Sequence, residues 1–275
     1  LKTGLDEIQT RLRKERTVAE PRLIADLRAD GQAPSLQSLV IQNGKAFTLN
    51  QTRNQLVAIT LQDGTSAPLA GPEGVTLRLL GNGRDAPLVL GNERQLFTVR
   101  SQGLSPLNAN ALSKASSTAA LTVYGTRAYL LDPTKGMIWR YALSTNGLSG
   151  ESAYLPAPSA SLEQGVALAI DASVYVGKQT GEVEKFTSGK ADAWSLRAID
   201  PPLQAISSLW TDAESPVLAV ADAANKRVVI FNKDGSLRQQ ILSPAFQGPM
   251  AVWGVSQEQA LYALDGGRLF KLELP

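Results

Sequence analysis

The chain has 275 residues, 43% of them hydrophobic, and a net charge of +2 from 27 basic and 25 acidic side chains. This length can bury a large core as one β domain or two smaller ones, and so small a charge excess argues against nucleic acid as a partner. Cysteine and histidine are both absent, which excludes disulfides, thiolate metal sites, cysteine nucleophiles and a Ser-His-Asp triad.

The first predicted element is a helix over residues 3–19, in which Leu5, Ile8 and Leu12 fall on one face among charged residues. Thr3 and Asp6 give it a capping-box-like start. We therefore expect residues 1–19 to form an N-terminal helix or stalk, and residues 20–275 to form the folded domain. The sequence shows no apolar run long enough to cross a bilayer, so this segment is not expected to insert into a membrane.

A pattern of four β-compatible runs recurs along the rest of the chain. The second run of each unit ends before a polar turn, and these ends are Asn50, Gly91, Asp132, Gly177, Asp222 and Asp265. Successive ends lie 41 to 45 residues apart, which is typical of a four-stranded propeller blade. Prolines separate the units, where a missing backbone N–H is harmless. The spacing predicts an all-β, six-bladed β-propeller of four-stranded blades.

The last unit stops after its third strand, close to Pro275, whereas an extra β-compatible stretch at residues 23–27 precedes the first unit. We expect this N-terminal strand to close the ring by pairing with the C-terminal strand, since a closed propeller avoids an open edge. Deletion of residues 1–29 should then cause aggregation, and deletion of residues 1–18 should be tolerated.

One unit carries a family resemblance. Asp222, Asn225 and Arg227, followed by Val228, Val229 and Phe231, resemble the NHL repeat, a unit of certain β-propellers. From about residue 20 to the end, the chain resembles the propeller regions of bacterial membrane-anchored proteins, among them receptor-like kinases and proteins with a phosphatase-2C-like region. The resemblance implies a binding platform displayed outside the cytoplasm.

The six predicted first strands contain no Asp or Glu, and Arg78 is their one charged residue. In propeller enzymes such as the lactonase-like group, carboxylates and amides on these strands hold calcium, which requires several oxygen ligands. We therefore expect no metal, no cofactor and no catalytic residues. Asp132, Asp222 and Asp265 occupy equivalent positions, but an Asp that ends a strand usually accepts hydrogen bonds from the turn that follows.

Two tryptophans and a set of basic turns are the candidate binding residues. Trp210 and Trp253 each lie 12 residues before an equivalent Asp, where a ring packs between blades or serves as a stacking platform for a ligand. The turns after the second strands share a weakly basic character that suits an acidic partner or is ordinary solvated charge. The residues predicted there are Arg53, Lys135, Lys178, Asn225, Lys226, Arg227 and Arg268.

These features favour a non-catalytic propeller that binds a protein or an extracellular ligand. We expect a monomeric domain, located in the periplasm or at the cell surface as part of a larger membrane-anchored protein, with a cytoplasmic location as the alternative. The contrasting hypothesis is a hydrolase or lactonase-like enzyme that works through its channel, against which the acid-free first strands argue. A structural spacer is the third possibility.

Overall fold

The fold is given by a computed structural model that describes residues 10–28, 34–101, 103–114 and 117–275, without the side chain of Glu93. Six antiparallel sheets follow one another along the chain. The first strand of each sheet contacts the first strands of the sheets before and after it, and the last contacts the first. The sheets are therefore the blades of a closed six-bladed propeller, as the repeat period predicts.

Blades 1 to 5 are built from consecutive strands, whereas the fourth strand of blade 6 comes from the N-terminal segment. The first strands, which line the central channel, are β3 (Leu36–Gln42), β7 (Leu77–Gly81), β11 (Ala120–Tyr124), β15 (Gly165–Ile170), β19 (Ile206–Trp210) and β23 (Ala251–Val255). The second strands are β4 (Lys45–Asn50), β8 (Leu88–Gly91), β12 (Arg127–Asp132), β16 (Val174–Lys178), β20 (Val217–Asp222) and β24 (Ala260–Asp265). The third strands are β5 (Gln55–Thr60), β9 (Leu96–Arg100), β13 (Met137–Ser144), β17 (Val183–Thr187), β21 (Arg227–Asn232) and β25 (Arg268–Glu273).

The outer strands are more exposed than the second strands. Blades 1 to 5 end in β6 (Ser66–Ala70), β10 (Gly103–Leu107), β14 (Gly147–Ala153), β18 (Lys190–Ala191) and β22 (Leu237–Leu242). Short 3-10 helices occur at Asn92–Arg94, Pro133–Lys135, Ala160–Leu162 and Ser256–Glu258. No helix in the described residues is long and apolar enough to cross a membrane.

The second strands form the core because stacked blades cover them on both faces. Every residue of β20 and of β24 is buried. Such strands read as continuous apolar runs rather than as alternating ones. The predicted ends of the second strands are confirmed, except that β16 runs one residue past Gly177.

The sixth blade is completed by the N-terminal strand β2 (Arg22–Asp26), which pairs antiparallel with β25. Leu23 lies opposite Phe270, and Asp26 lies opposite Arg268. The predicted closure is confirmed. It satisfies the backbone of β25, which would otherwise be an open edge.

The helix expected over residues 3–19 does not extend that far. Residues 10–12 are helical, whereas β1 (Glu15–Thr17) adds a fifth, parallel strand to the outer edge of blade 5 beside β22. Gln240 of β22 donates from Nε2 to the carbonyl oxygen of Arg13 at 2.7 Å. The edge strand β22 offers unpaired backbone N–H and C=O groups, and pairing with them favours a strand over a helix that has only a narrow apolar stripe to bury. Residues 3–9 of that prediction lie outside the described residues.

The closing strand should respond to acid. Hydrogen bonds from the Arg28 side chain, Nε at 2.8 Å among them, lower the pKa of Asp26 from 3.8 to about 2. Because the folded pKa lies below the unfolded one, ionised Asp26 contributes stability above about pH 4, and that contribution is lost as the pH falls toward about 2. In urea titrations, we expect the free energy of unfolding to fall less between pH 4 and pH 2 for Asp26→Asn than for the wild type. Equal losses would contradict this role.

Candidate functional site

The central channel contains two cavities, one at each end of the first strands. The upper cavity, of about 560 Å³, is lined by the N-terminal halves of these strands, from Gln37 in blade 1 to Met250 in blade 6. The lower cavity, of about 340 Å³, is lined by their C-terminal ends and by the residues just after them, such as Asn82 and Ser256.

Irregular pairing shapes the upper cavity. The register between first and second strands shifts between Leu77 and Leu79 in β7 and between Ile206 and Ser208 in β19, and it also shifts in β3 and β15. A bulge leaves one residue outside the regular ladder and redirects its side chain. In β7 that residue is Arg78, which lines the upper cavity.

Arg78 is the one charged residue among the described residues that line the upper cavity. Its guanidinium makes no hydrogen bond or ion pair with any described residue, and the side chain is exposed. The walls around it include Leu39, Leu79 and Leu121. An unpaired guanidinium beside apolar walls is a site for an anionic or strongly polar oxygen atom.

Polar side chains of the lower cavity, in contrast, are used to join neighbouring blades. Ser256 of blade 6 donates to Asp212 of blade 5 at 2.7 Å. The Oδ1 atom of Asn82 in blade 2 accepts hydrogen bonds from the backbone N–H of Val123 at 2.8 Å and from the Thr122 hydroxyl at 3.0 Å, both in blade 3. These groups already have partners and belong to the contacts between neighbouring blades.

The two predicted tryptophans have different surroundings. Trp210 is 3% exposed and lies so close to Gly254 that a Cβ there would come within 2.3 Å of its ring. It therefore fills the interface between blades 5 and 6, as the packing interpretation predicts. Trp253 is partly buried and lines both cavities, so it is in a position to contact a ligand in the channel.

Three predicted basic residues are exposed on the turns. Arg53 and Lys226 are exposed, and their side chains form no hydrogen bond or ion pair with the described residues. Lys135 is also exposed, donates from Nζ to the carbonyl oxygen of Lys114, and lies 6.0 Å from the ring of Trp139. Binding by these residues stays a prediction.

The other predicted rim residues have partners within the fold. The Nζ atom of Lys178 lies 2.7 Å from Glu184 and 3.0 Å from Glu182. Burial acts to lower the pKa of Lys178, but the hydrogen bonds to these carboxylates outweigh it and raise the pKa. Arg268 is partly buried, donates to the carbonyl oxygen of Ala245 at 2.6 Å, and stacks 4.9 Å from the ring of Phe270.

Arg227 is 1% exposed and belongs to the interior rather than to the rim. It pairs with Asp222 at 2.9 Å and contacts Gln240. The Nδ2 atom of Asn225 donates to Asp222 at 2.8 Å and to the carbonyl oxygen of Pro202 at 2.9 Å. A guanidinium can be buried in this way because its charge is paired and its N–H groups have acceptors.

The strand-ending aspartates bind backbone, but not all at the predicted place. Asp132 accepts from the N–H of Lys135 in the following turn at 3.3 Å. Asp222 and Asp265 accept instead from the segment that leads into their own blade, for example from Gly248 N–H at 2.9 Å in the case of Asp265. They fix the crossings between blades and do not form an acidic ring in the channel.

No family model and no curated protein matches the sequence. Among solved structures, a gluconolactonase from Xanthomonas campestris is similar with a TM-score of 0.65 at 16% identity, covering 94% of this chain and 96% of that one. A streptogramin B lyase reaches 0.62 at 10% identity, with 91% and 97% covered. Regucalcin from Agrobacterium tumefaciens, described as a calcium-binding protein, reaches 0.61 at 12% identity, with 94% and 96% covered. Identities this low show a shared fold.

These comparisons contradict the prediction of a non-catalytic binding platform. The similar structures include two enzymes, a gluconolactonase and a streptogramin B lyase. The prediction rested on the lack of Asp and Glu on the first strands. That lack argues against a metal site built from carboxylates, but an active site can also stabilise charge through other groups. The narrower resemblance to NHL repeats and to membrane-anchored sensors stays a prediction.

A calcium site does not fit the residues of the upper cavity. Calcium prefers several oxygen ligands with carboxylates among them, whereas the described lining contains no carboxylate and carries the positive charge of Arg78. Groups of three or more Asp, Glu, His or Cys side chains that could hold a metal are absent from the described part of the chain. We therefore derive no reaction step through a metal.

The sequence analysis did not name Arg78 as a candidate site residue. The signal was present, since it is the single charge on six channel strands, but it was used to argue against calcium rather than for an anion site. The bulge that directs it into the channel has no local sequence signature, because register is set by pairing with β8.

Proposed function

We propose that this propeller is a lactonase-like hydrolase of esters or lactones, with its active site in the upper cavity. The observation that carries the proposal is Arg78, an unpaired guanidinium that is the single charge among the described residues lining that cavity. The enzyme-type propellers that share the fold support it.

The chemistry follows from where charge develops. In ester hydrolysis by hydroxide, the hydroxide oxygen bonds to the carbonyl carbon, negative charge builds on the carbonyl oxygen, and the C–O bond to the leaving oxygen then breaks as that oxygen takes a proton from water or from the carboxylic acid just formed. A guanidinium aimed at the carbonyl oxygen stabilises the charge, and it does so more strongly beside apolar walls than in water. Leu39, Leu79 and Leu121 supply such walls.

The described lining of this cavity contains neither a carboxylate nor an imidazole to act as a general base. Hydroxide from solvent then serves as the nucleophile, while Arg78 binds the carbonyl oxygen. A guanidinium keeps its charge through neutral and mildly alkaline pH, so kcat/KM should rise with pH across that range without a plateau. EDTA should leave the rate unchanged.

The test is a panel of aryl esters and lactones with Arg78→Ala and with Arg127→Ala, an exposed arginine at the start of β12, as the matched control. We expect Arg78→Ala to lower kcat/KM by about 10²–10³-fold, as the loss of one oxyanion-stabilising donor does, and Arg127→Ala to leave it unchanged. Arg78→Lys should recover part of the loss because it restores the charge without the fork geometry. Equal losses in both alanine variants, or no turnover of any substrate, would overturn the proposal.

The proposed compartment has a different basis, since it rests on the sequence resemblance. We keep the extracytoplasmic side as the proposed location, and fractionation of cells that express the full-length parent, with detection by an antibody against the propeller, tests it. Recovery in the cytoplasmic fraction would contradict it.

A further inference from the structure

We infer that Trp253 is the floor of the upper cavity and limits the length of the substrate that fits below Arg78. The channel is then a blind pocket, in which substrate and product use the same mouth. This inference rests on the proposed function for its substrate class, although the floor itself can be tested by binding alone.

The first observation is that four residues line both cavities. They are Thr122, Leu168, Leu209 and Trp253, one each from blades 3, 4, 5 and 6. Residues that border both cavities lie at the level that separates them. Trp253 has the largest side chain of the four, so it contributes most to the barrier.

The second observation is that Trp253 is held in place from several sides. Its ring packs against three apolar clusters, which contain Val252 of blade 6, Leu39 of blade 1 and Leu80 of blade 2 respectively. The next residue, Gly254, contacts the Trp210 ring, which fixes the backbone of β23. A side chain packed against elements around the ring is a rigid barrier rather than a swinging gate.

The third observation concerns depth. Arg78 lies three residues before Gly81, the last residue of β7 that lines the upper cavity. At the rise of a β-strand this is about 10 Å. Trp253 lies at the level of Gly81, since each pairs with the residue three positions before the end of its second strand, so a carbonyl held at Arg78 leaves at most about 10 Å for the rest of the substrate. The lining of the cavity includes the apolar side chains of Leu121 and Val252 next to the hydroxyl side chains of Ser207 and Ser208.

The substrate class that fits is an ester or lactone whose acyl part is apolar and no longer than this depth. A longer chain has to displace the indole or leave apolar surface in water, and both cost free energy. Replacing Trp253 by alanine joins the two cavities and removes the limit.

The experiment measures a chain-length profile. With p-nitrophenyl esters of linear acyl chains of increasing length, we expect kcat/KM of the wild type to fall beyond one chain length. Trp253→Ala should move this limit to longer chains and raise kcat/KM by at least about tenfold for the first ester that the wild type excludes, the size expected for a methylene in a pocket. Trp210→Phe is the matched control, and it should keep the wild-type limit because Trp210 packs between blades.

A second readout does not depend on turnover. Calorimetric titration with linear alkyl carboxylates, whose head group pairs with Arg78, should show the same length limit in the wild type and a longer limit in Trp253→Ala. If no ester is hydrolysed but the limit moves in these titrations, the floor stands and the proposed activity fails. Identical limits in wild type and a folded Trp253→Ala, or no binding of any carboxylate, would overturn the inference. Trp253→Leu is the fallback if the alanine variant does not fold.

Discussion

Replacing Arg227 by alanine is expected to lower the free energy of unfolding by about 3–5 kcal/mol, the cost of leaving one member of a buried ion pair without its partner. Asp222 is fully buried, so its carboxylate would lose the guanidinium and keep its desolvation penalty. Urea unfolding followed by tryptophan fluorescence measures the effect.

The size of this effect follows from how many groups Arg227 serves. Besides Asp222, it donates to the carbonyl oxygens of Pro201 at 2.6 Å and Pro202 at 3.2 Å, and it contacts Gln240. Gln240 in turn holds the backbone of Arg13. The Arg227 side chain therefore connects β21 to the segment that leads into blade 5 and, through Gln240, to the N-terminal segment at Arg13.

Lys226→Ala is the control for Arg227→Ala, since Lys226 precedes it in sequence but is exposed, and we expect a change of less than about 0.5 kcal/mol. The double variant Asp222→Ala/Arg227→Ala should lose less than the sum of the two single variants, because removing both charges leaves neither one unpaired. Additive losses, or an Arg227→Ala variant as stable as Lys226→Ala, would show that the pair is not coupled.

Deletion of residues 1–29 is expected to abolish a stable monomer. It removes β2, so β25 loses its antiparallel partner and the sixth blade exposes an unpaired edge, which favours aggregation. Deletion of residues 1–18 should now have an intermediate effect instead of being tolerated. It removes β1, the pairing of Thr17 with Leu242, and the ion pair of Arg16 with Glu273 at 3.0 Å.

A deletion of residues 1–12 keeps both strands and serves as the control for the series. Thermal melts with simultaneous light scattering should rank the three deletions in order of the strands they lose. Matching melting temperatures for the deletions of 1–18 and 1–29 would contradict the closing role of β2. A deletion of 1–18 that melts like the control would contradict the role of β1.

The fold was predictable because blades repeat. Asp132, Asp222 and Asp265 end second strands in the structure as the sequence spacing predicts, since each hairpin is a local unit with its own turn chemistry. The closure was also predictable. The last blade has three strands in sequence order, and the extra strand before the first blade can supply its fourth. The helix over residues 3–19 was partly wrong because its apolar stripe is weak and strand pairing with β22 competes with it.

The candidate site was much less predictable. Arg227 and Lys226 are adjacent in the sequence, but Arg227 is buried and Lys226 is exposed. The difference depends on Gln240 and Pro201, which lie 13 and 26 residues from Arg227 along the chain. Trp210 and Trp253 occupy equivalent positions in neighbouring blades, but Trp210 packs against Gly254 and lines the lower cavity alone, whereas Trp253 lines both cavities.

The sequence by itself determined the number of blades, the order of the strands and the absence of carboxylates on the channel strands, because these follow from local periodicity and residue type. The tertiary structure alone decided that Arg78 leaves the regular ladder to line the upper cavity, that Trp253 separates the two cavities, and that Arg227 is enclosed. The physical reason is that bulges, interblade packing and ion-pair burial depend on pairing and packing with other strands of the same or a neighbouring blade, which no local pattern records.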